Sequence, residues 1–238
     1  ADIKEIRLVA NGSAIQRLKK NQIAKYIQFD GMPNVAGTLF TLWQDRFGLM
    51  TRKGRHFTAL GTNHLVSESN PVPMKSLLLE VDIEATASNP TLKVDAITNP
   101  ATQPVGAIKK IRQFNRSFNG AGEYDIGDLP LGDKINRIML LRTAGATGSK
   151  ITNVKVDREQ YTLFDRTPEK NDLIQTQGVR KPQTDLFVID PTELGYGDEG
   201  IATRKGNGQR VSDFRVHIEV DGQIDLDIIV EYLGPLSE

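Results

Sequence analysis

Three histidines, His56, His64 and His217, are the only imidazoles in the 238 residues. Metal chemistry inside a β-barrel needs clustered ligands, typically His-x-His with a distant third. No two of these histidines have ligand spacing, and His217 falls on the polar side of an alternating stretch, so they read as solvated or locally bonded. Asp221-Gly222-Gln223-Ile224-Asp225-x-Asp227 places carboxylates at alternate positions, as a hard cation prefers. No closing glutamate stands at its end, and the spacing follows strand alternation, which favours a hairpin with acidic outward positions. Gly195-Tyr196-Gly197 through Gly206-Asn207-Gly208 is glycine-rich. A phosphate loop needs a helix N-terminus after it, and a strand pattern follows instead, so this is expected to be a mobile surface loop.

Two basic features remain. Thr51-Arg52-Lys53-Gly54 and Thr203-Arg204-Lys205-Gly206 are identical, which fits either a repeated contact with an anion or a coincidence of two charged loops. Lys109-Lys110-x-Arg112 and Arg116 interleave with Phe114 and Phe118, as on a single-strand nucleic-acid surface. On a strand those rings would share a face with Arg112 and Arg116, so the segment is expected to bend. A core strand with snorkelling cations is the favoured reading. No nucleophile elbow or comparable Ser/His/Asp setting appears. The expectation is no catalytic residues, no cofactor-binding residues and no metal ligands.

Composition narrows the class further. Thirty basic residues balance thirty acidic ones, so no global field draws the chain to nucleic acid or an anionic membrane. There is no cysteine, hence no disulfide or thiol chemistry. No apolar run reaches membrane-spanning length, so any lipid contact would be peripheral. Hydrophobic content of 38% suits thin, two-sided sheets better than one thick core.

The elements that must position these residues are mainly strands. Leu77, Leu79, Val81 and Ile83 alternate with Leu78, Glu80, Asp82 and Glu84. Phe214, Val216, Ile218 and Val220 do the same, and a third row, Ile224 to Tyr232, follows the turn Asp221-Gly222. Asn11-Gly12 marks another turn. Helices are few. Thr167-Pro168-Glu169 offers an N-cap and a first-turn proline, with Gly178 as the stop. A counterpart is expected at roughly 19 to 29.

These elements occur twice. Ile3-x-x-Ile6-x-Leu8 reappears as Ile151-x-x-Val154-x-Val156, with 151 − 3 = 148. Tyr26-Ile27-Gln28-x-x-Gly31 is echoed by Leu173-Ile174-Gln175-x-x-Gly178, and Leu39-Phe40 by Leu186-Phe187, both at 147. Leu79-Glu80-Val81-Asp82 is echoed by Ile218-Glu219-Val220-Asp221 at 139. Each copy should carry a helix between strands and a long loop, 44 to 70 and 191 to 210. The connector Asn99-Pro100-Ala101-Thr102-Gln103-Pro104 divides a first unit, 1–104, from a second, 105–238. The second copy is preceded by Ile108 to Phe118 and Lys134 to Thr143, which have no counterpart before Ile3. The first unit is therefore expected to lack about 40 residues of opening strands by the same alignment.

Tandem β units with inserted helices and long loops resemble the double jelly-roll major capsid protein of tailless, membrane-containing icosahedral double-stranded-DNA bacteriophages, nearest the corticovirus type. The resemblance rests on Phe118-Asn119-Gly120 leading to Glu123-x-x-Ile126-Gly127-Asp128-Leu129-Pro130, on Arg137-Ile138 with Ala144-Gly145, and on Val154-x-Val156-Asp157. The closing Ile228-Ile229-Val230-Glu231-Tyr232-Leu233-Gly234 continues it. In the first unit it is carried by Ile6-Arg7-Leu8, Asn11-Gly12 and Phe57-Thr58-Ala59-Leu60-Gly61. It implies an all-β fold of two tandem eight-stranded jelly-roll sandwiches, the first without its N-terminal strands. It also implies a structural, non-enzymatic role as a homotrimeric, pseudo-hexameric tile in an icosahedral shell over an internal membrane. The partners implied are the chain itself, as trimer and neighbouring trimers, penton or membrane proteins of the virion, and peripheral lipid, with no specific nucleic acid. The protein would be made in the bacterial host cytoplasm and reside in the virion. The alternative is a carbohydrate- or receptor-binding β-sandwich, such as a spike or lectin-like module. That reading predicts exposed aromatics at one loop end, against which Trp43 stands on a strand pattern.

Overall fold

The structure is a computed structural model that describes residues 3–32, 41–51, 54, 58, 60, 72–97, 107–145, 147–196 and 200–236. His56, His64, Leu39-Phe40, Arg52-Lys53, Phe57, Ala59, Gly61, Gly197 and the 99–104 connector lie outside the described residues.

Among the described residues, eleven strands and two helices run in the order β1 (Ile3–Ala10), β2 (Ser13–Lys19), α1 (Lys20–Phe29), β3 (Leu77–Ile83), β4 (Ile108–Phe118), β5 (Gly122–Ile126), β6 (Lys134–Gly145), β7 (Ile151–Arg158), β8 (Tyr161–Arg166), α2 (Pro168–Gln177), β9 (Leu186–Ile189), β10 (Phe214–Val220) and β11 (Ile224–Gly234). The last eight strands form two facing sheets, β4-β11-β6-β9 and β5-β10-β7-β8. That order is a jelly roll. Strands adjacent in sequence go to opposite sheets except for the hairpin β7-β8, and the closing strand inserts between the first and third. Its core lies between the sheets, where Ile138, Leu140, Val154, Val156, Ile218, Ile228 and Val230 are almost wholly buried.

The first unit repeats half of this design. The order β3-β1-β2 matches β10-β7-β8. Ile6 pairs with Leu18 and Leu8 with Gln16; Val154 pairs with Arg166 and Val156 with Phe164, every residue displaced by 148. A bulge interrupts β1 between Leu8 and Val9, and its counterpart interrupts β7 between Val156 and Asp157. The helices, beginning at Lys20 and Pro168, keep the same 148 rather than 147. Pairing also corrects the fourth echo. Ile6 opposes Val81, whereas Val154 opposes Ile218, so β3 and β10 correspond at 218 − 81 = 137, two residues from the 139 of the sequence alignment. A two-residue slip leaves every side chain on its original face, which is why alternation alone could not detect it.

The turns behave as their residues dictate, with one difference. Asn11 and Gly12 both have positive φ (49° and 81°), as a tight hairpin with matching twist requires. Gly222, by contrast, needs no left-handed backbone. A Cβ there would meet Ser149 Oγ at 2.4 Å and Cβ at 3.2 Å, so a side chain at this position would require Ser149 to give way. Thr167 caps α2 by accepting from Lys170 N, with Pro168 at the first turn and Gly178 at the end. Strand β4 does not bend. It pairs with β11 without a break from Ile108↔Gly234 to Phe118↔Ile224.

The two units are not separate bodies. β2 meets β4 in parallel at Gln16↔Ile111, making one seven-stranded sheet, β3-β1-β2-β4-β11-β6-β9. Among the described residues no strand follows β3 in the first unit, although the repeat predicts two in each copy after the long loop.

Candidate functional site at the interface of the two units

The candidate chemical motifs disperse in three dimensions. Thr203 receives a bond from Gly132 N and gives one to Asp133 O, Arg204 bonds Gly132 O and Gly208 O, and Lys205 pairs with Glu159 at 2.7 Å. The Thr203–Gly206 stretch is thus occupied in holding its own loop. Lys109 and Lys110 are buried, Lys110 against Asp133 at 2.8 Å, which leaves Arg112, lying over the Tyr232 ring, as the exposed member of the basic run. Arg116 pairs with Asp128. Trp43 lies outside any strand and packs edge-on against Phe47.

His217 does gather carboxylates. On the outer face of β10, its Nδ1 lies 2.5 Å from Asp125 Oδ1 and its Nε2 3.0 Å from Asp157 Oδ2, with Glu123 at 3.9 Å. Glu123, Asp125 and His217 are spaced closely enough to share a cation. Asp125 and Asp157 each approach one ring nitrogen. Locally bonded is the reading that fits.

The most elaborate chemistry lies where the first unit meets the second. Helix α1 buries Ile23, Tyr26, Ile27 and Phe29 against the outer face of β4-β11-β6-β9, on Ile111, Ile229, Met139, Leu141, Leu186 and Val188. Its equivalent α2 turns Asn171 and Gln175, the counterparts of Ile23 and Ile27, onto its own β9 edge. Both side chains donate to Val188 O, at 3.0 and 2.8 Å, and occupy an acceptor at the sheet margin.

Four charges close the α1 end. Asp30, at the helix terminus, accepts from Arg137 of β6 at 2.8 Å and from Arg180 at 2.6 Å. Asp190, after β9, lies 3.3 and 2.7 Å from the same two guanidiniums. Arg180 also reaches Phe47 O (2.9 Å) and Thr192 Oγ1 (3.3 Å). Burial alone would raise the Asp190 carboxyl, but Arg180 and Arg137, with two bonds from Thr192, hold it below the usual carboxylate range. Arg137 Nε and Nη1 find no hydrogen-bond acceptor. The guanidinium instead faces Tyr26 and Phe29 at 5.3 and 4.9 Å, where ring quadrupoles supply part of the missing solvation.

At the other end of α1, Asp227 of β11 accepts from Gln22 Nε2 (2.7 Å), Lys19 Nζ (3.3 Å) and Asn115 Nδ2. It is buried and belongs to the junction, not to an outward acidic row as its hairpin position suggests. Between the two ends lie Lys109 and Glu231. Burial lowers Lys109 to about 8, and its ammonium donates to Trp43 O at 2.6 Å. Burial raises Glu231 to about 8; Asn136 Nδ2 bonds one of its oxygens, and among the described residues nothing bonds the other. At pH 7 burial therefore keeps Glu231 neutral and brings the Lys109 ammonium close to its titration point. The arrangement fixes the orientation of one unit on the other.

Sequence reasoning missed Asp30, Arg137, Arg180 and Asp190. The only available signal was charge at otherwise apolar strand positions, as at Arg137 inside Ile135–Leu141.

Two family profiles match the chain. The viral coat protein P2 N-terminal domain spans residues 1–99, and the viral coat protein P2 C-terminal domain spans residues 108–236. Among solved structures, the major capsid protein P2 from Bacteriophage PM2 is similar with a TM-score of 0.78 at 20% identity, covering 100% of this chain and 83% of that one. The STIV MCP is similar with a TM-score of 0.55 at 10% identity, covering 99% and 79%. At these identities the likeness is one of fold. No curated protein matches significantly in sequence.

Proposed function

The chain belongs to the viral coat protein P2 family, and from that premise we propose that it assembles as a pseudo-hexameric homotrimer into an icosahedral shell over an internal membrane. Its role is structural, as a capsid protein of the virion with a double jelly-roll fold. The observation that carries the proposal is the duplicated unit locked into a single plate. The described strands of the first unit repeat the order of half of the second, the two units share a sheet, and buried ion pairs join them, so three chains would present six related units. Side-by-side packing of such plates covers sheet edges that otherwise invite uncontrolled pairing.

The division at 1–104 and 105–238 follows from the same repeat. The chain's partners are further copies of itself, penton or membrane proteins of the virion, and the lipid surface at its periphery. Synthesis takes place in the bacterial host cytoplasm, and no step of its work requires catalysis.

Light scattering after size exclusion tests this reading. The expected mass is three times the 26.4 kDa of one chain. A protein that stays monomeric throughout the micromolar range overturns the trimer.

A further inference from the structure

Residues 203–211 form a small hairpin that brings two arginines face to face. Val211 N donates to Thr203 O at 3.0 Å and Lys205 N to Gln209 O at 2.7 Å, so Arg204 stands directly opposite Arg210. Like charges placed this way on paired strands are destabilising. Among the described residues no carboxylate offsets them. The acidic neighbours are already taken: Asp133 by Lys110 at 2.8 Å, Glu159 by Lys205 at 2.7 Å and Asp213 by Arg215 at 2.8 Å. Arg158 brings a third guanidinium to the same place, its Nη2 donating to Arg204 O at 3.2 Å.

Both guanidiniums converge on Gly132, in the turn before β6. This glycine has φ of 134°, and the position a Cβ would take lies 3.4 Å from Arg210 Nε, 3.6 Å from Arg204 Nη2 and 3.7 Å from Arg210 Nη2. Three donor atoms therefore surround one point that a side chain would otherwise fill. Arg204 is held there in advance. Its Nε donates to Gly132 O at 2.8 Å and its Nη1 to Gly208 O at 2.9 Å, which leaves Nη2 uncommitted. Thr203 Oγ1 ties the hairpin to the turn, accepting from Gly132 N at 2.8 Å and donating to Asp133 O at 2.7 Å. Arg210 has no side-chain partner among the described residues. Donors fixed before a ligand arrives lose less entropy when it binds.

We propose that Arg204 and Arg210, over Gly132, bind the phosphate group of a ligand. A guanidinium presents parallel N–H donors at the spacing of phosphate oxygens, and a tetrahedral oxyanion has oxygens enough for two such forks at once. The anion would also neutralise the two opposed charges, for which the described residues supply no counter-ion. Inorganic phosphate and the headgroup phosphate of an anionic phospholipid share this chemistry. All the groups of the site come from one chain, so it stands whether or not the trimer reading does.

The test uses the full chain labelled with 15N-arginine. Inorganic phosphate is titrated in at constant ionic strength while the guanidinium Nε–H resonances are followed by NMR. Wild type should show saturable shifts of Arg204 and Arg210 with a Kd on the order of a millimolar. Arg210→Gln should weaken binding about tenfold. Arg210→Lys, which keeps the charge and loses the fork, should fall between the two. Arg215→Gln is the control. It removes the same charge from a neighbouring arginine that Asp213 already pairs, and should change Kd by less than about twofold. Circular dichroism melts verify that each variant folds, as expected for exposed positions. A second arm replaces phosphate with vesicles of phosphatidylcholine and phosphatidylglycerol, about 7:3, and measures flotation of the protein with them. Flotation lost with Arg210→Gln and kept with Arg215→Gln assigns a lipid headgroup. A saturable titration that depends on Arg210, without such flotation, assigns free phosphate. If neither arm depends on Arg210, or both substitutions weaken binding alike, the site is overturned and only the general field of the surface remains.

Discussion

Replacing Glu231 with glutamine should change how stability depends on pH, with little change in shape. The carboxyl is buried between the units, and burial raises it from 4.5 to about 8. The folded chain therefore retains a proton that the unfolded chain gives up above about pH 4.5. Stability contributed by this group is full in acid and declines as pH rises, until the folded form also ionises near pH 8. Linkage of the two values gives a loss of about 4 kcal/mol between pH 5 and pH 8.5. Glutamine cannot ionise and keeps the oxygen that accepts from Asn136. Urea unfolding at both pH values, read by the fluorescence of the single tryptophan, gives variant-minus-wild-type differences. Any constant penalty for the amide cancels between the two pH values. The variant should gain about 4 kcal/mol relative to wild type on going from pH 5 to 8.5. A relative gain below about 1 kcal/mol would refute the argument that burial holds this carboxyl neutral.

Lys109 should give the opposite slope. Burial lowers it to about 8, so its cost is present below that pH and is relieved as pH approaches the ordinary 10.5. Wild type should gain about 3 kcal/mol relative to Lys109→Met over that interval, by the same denaturation measurement. Asp190→Asn removes one corner of the buried square and leaves Arg137 and Arg180 with Asp30 alone, which should cost about 3–5 kcal/mol at pH 7. Because the folded Asp190 lies below its ordinary 3.8, its contribution is present above that value and vanishes as pH falls through the folded one. The variant should accordingly lose part of the acid limb of the melting profile. Gly178→Ala brings a Cβ to within 2.3 Å of Glu193 O, whereas Gly12→Ala meets nothing within 4 Å and suffers only its positive φ. Thermal melts should show a cost of about 1 kcal/mol at Gly12 and more than twice that at Gly178.

The duplication, the jelly-roll strands of the second unit, the cap of α2 and the hairpins were legible because each depends on local alternation or turn chemistry. Who covers the second face of a sheet was not. β11 reads as apolar residues alternating with Asp225, Asp227, Ile229 and Glu231, which looks half-solvated. In the folded chain α1 lies over that second face, and Asp227 and Glu231 are as buried as Ile228. Lys109 and Arg137 escaped for the same reason. A lone charge among apolar neighbours looks exposed until an opposite charge from another unit arrives, and Asp30 is more than 70 residues from either. The two-residue slip in the fourth echo shows the complementary limit: alternation specifies the face a side chain occupies, and only hydrogen bonding specifies its partner.

The join between β2 and β4 has a mechanical consequence. Within the second unit, β11 is bonded to β4 over eleven consecutive residue pairs. Across the join a single backbone pair, Gln16↔Ile111, is supported by two side-chain amides, Gln16 to Lys109 O and Gln113 to Arg17 O. A plate built this way is stiff along its strands and compliant about one line. When load is applied across it, the two halves hinge there, with α1 and its buried charges acting as the brace that limits the angle.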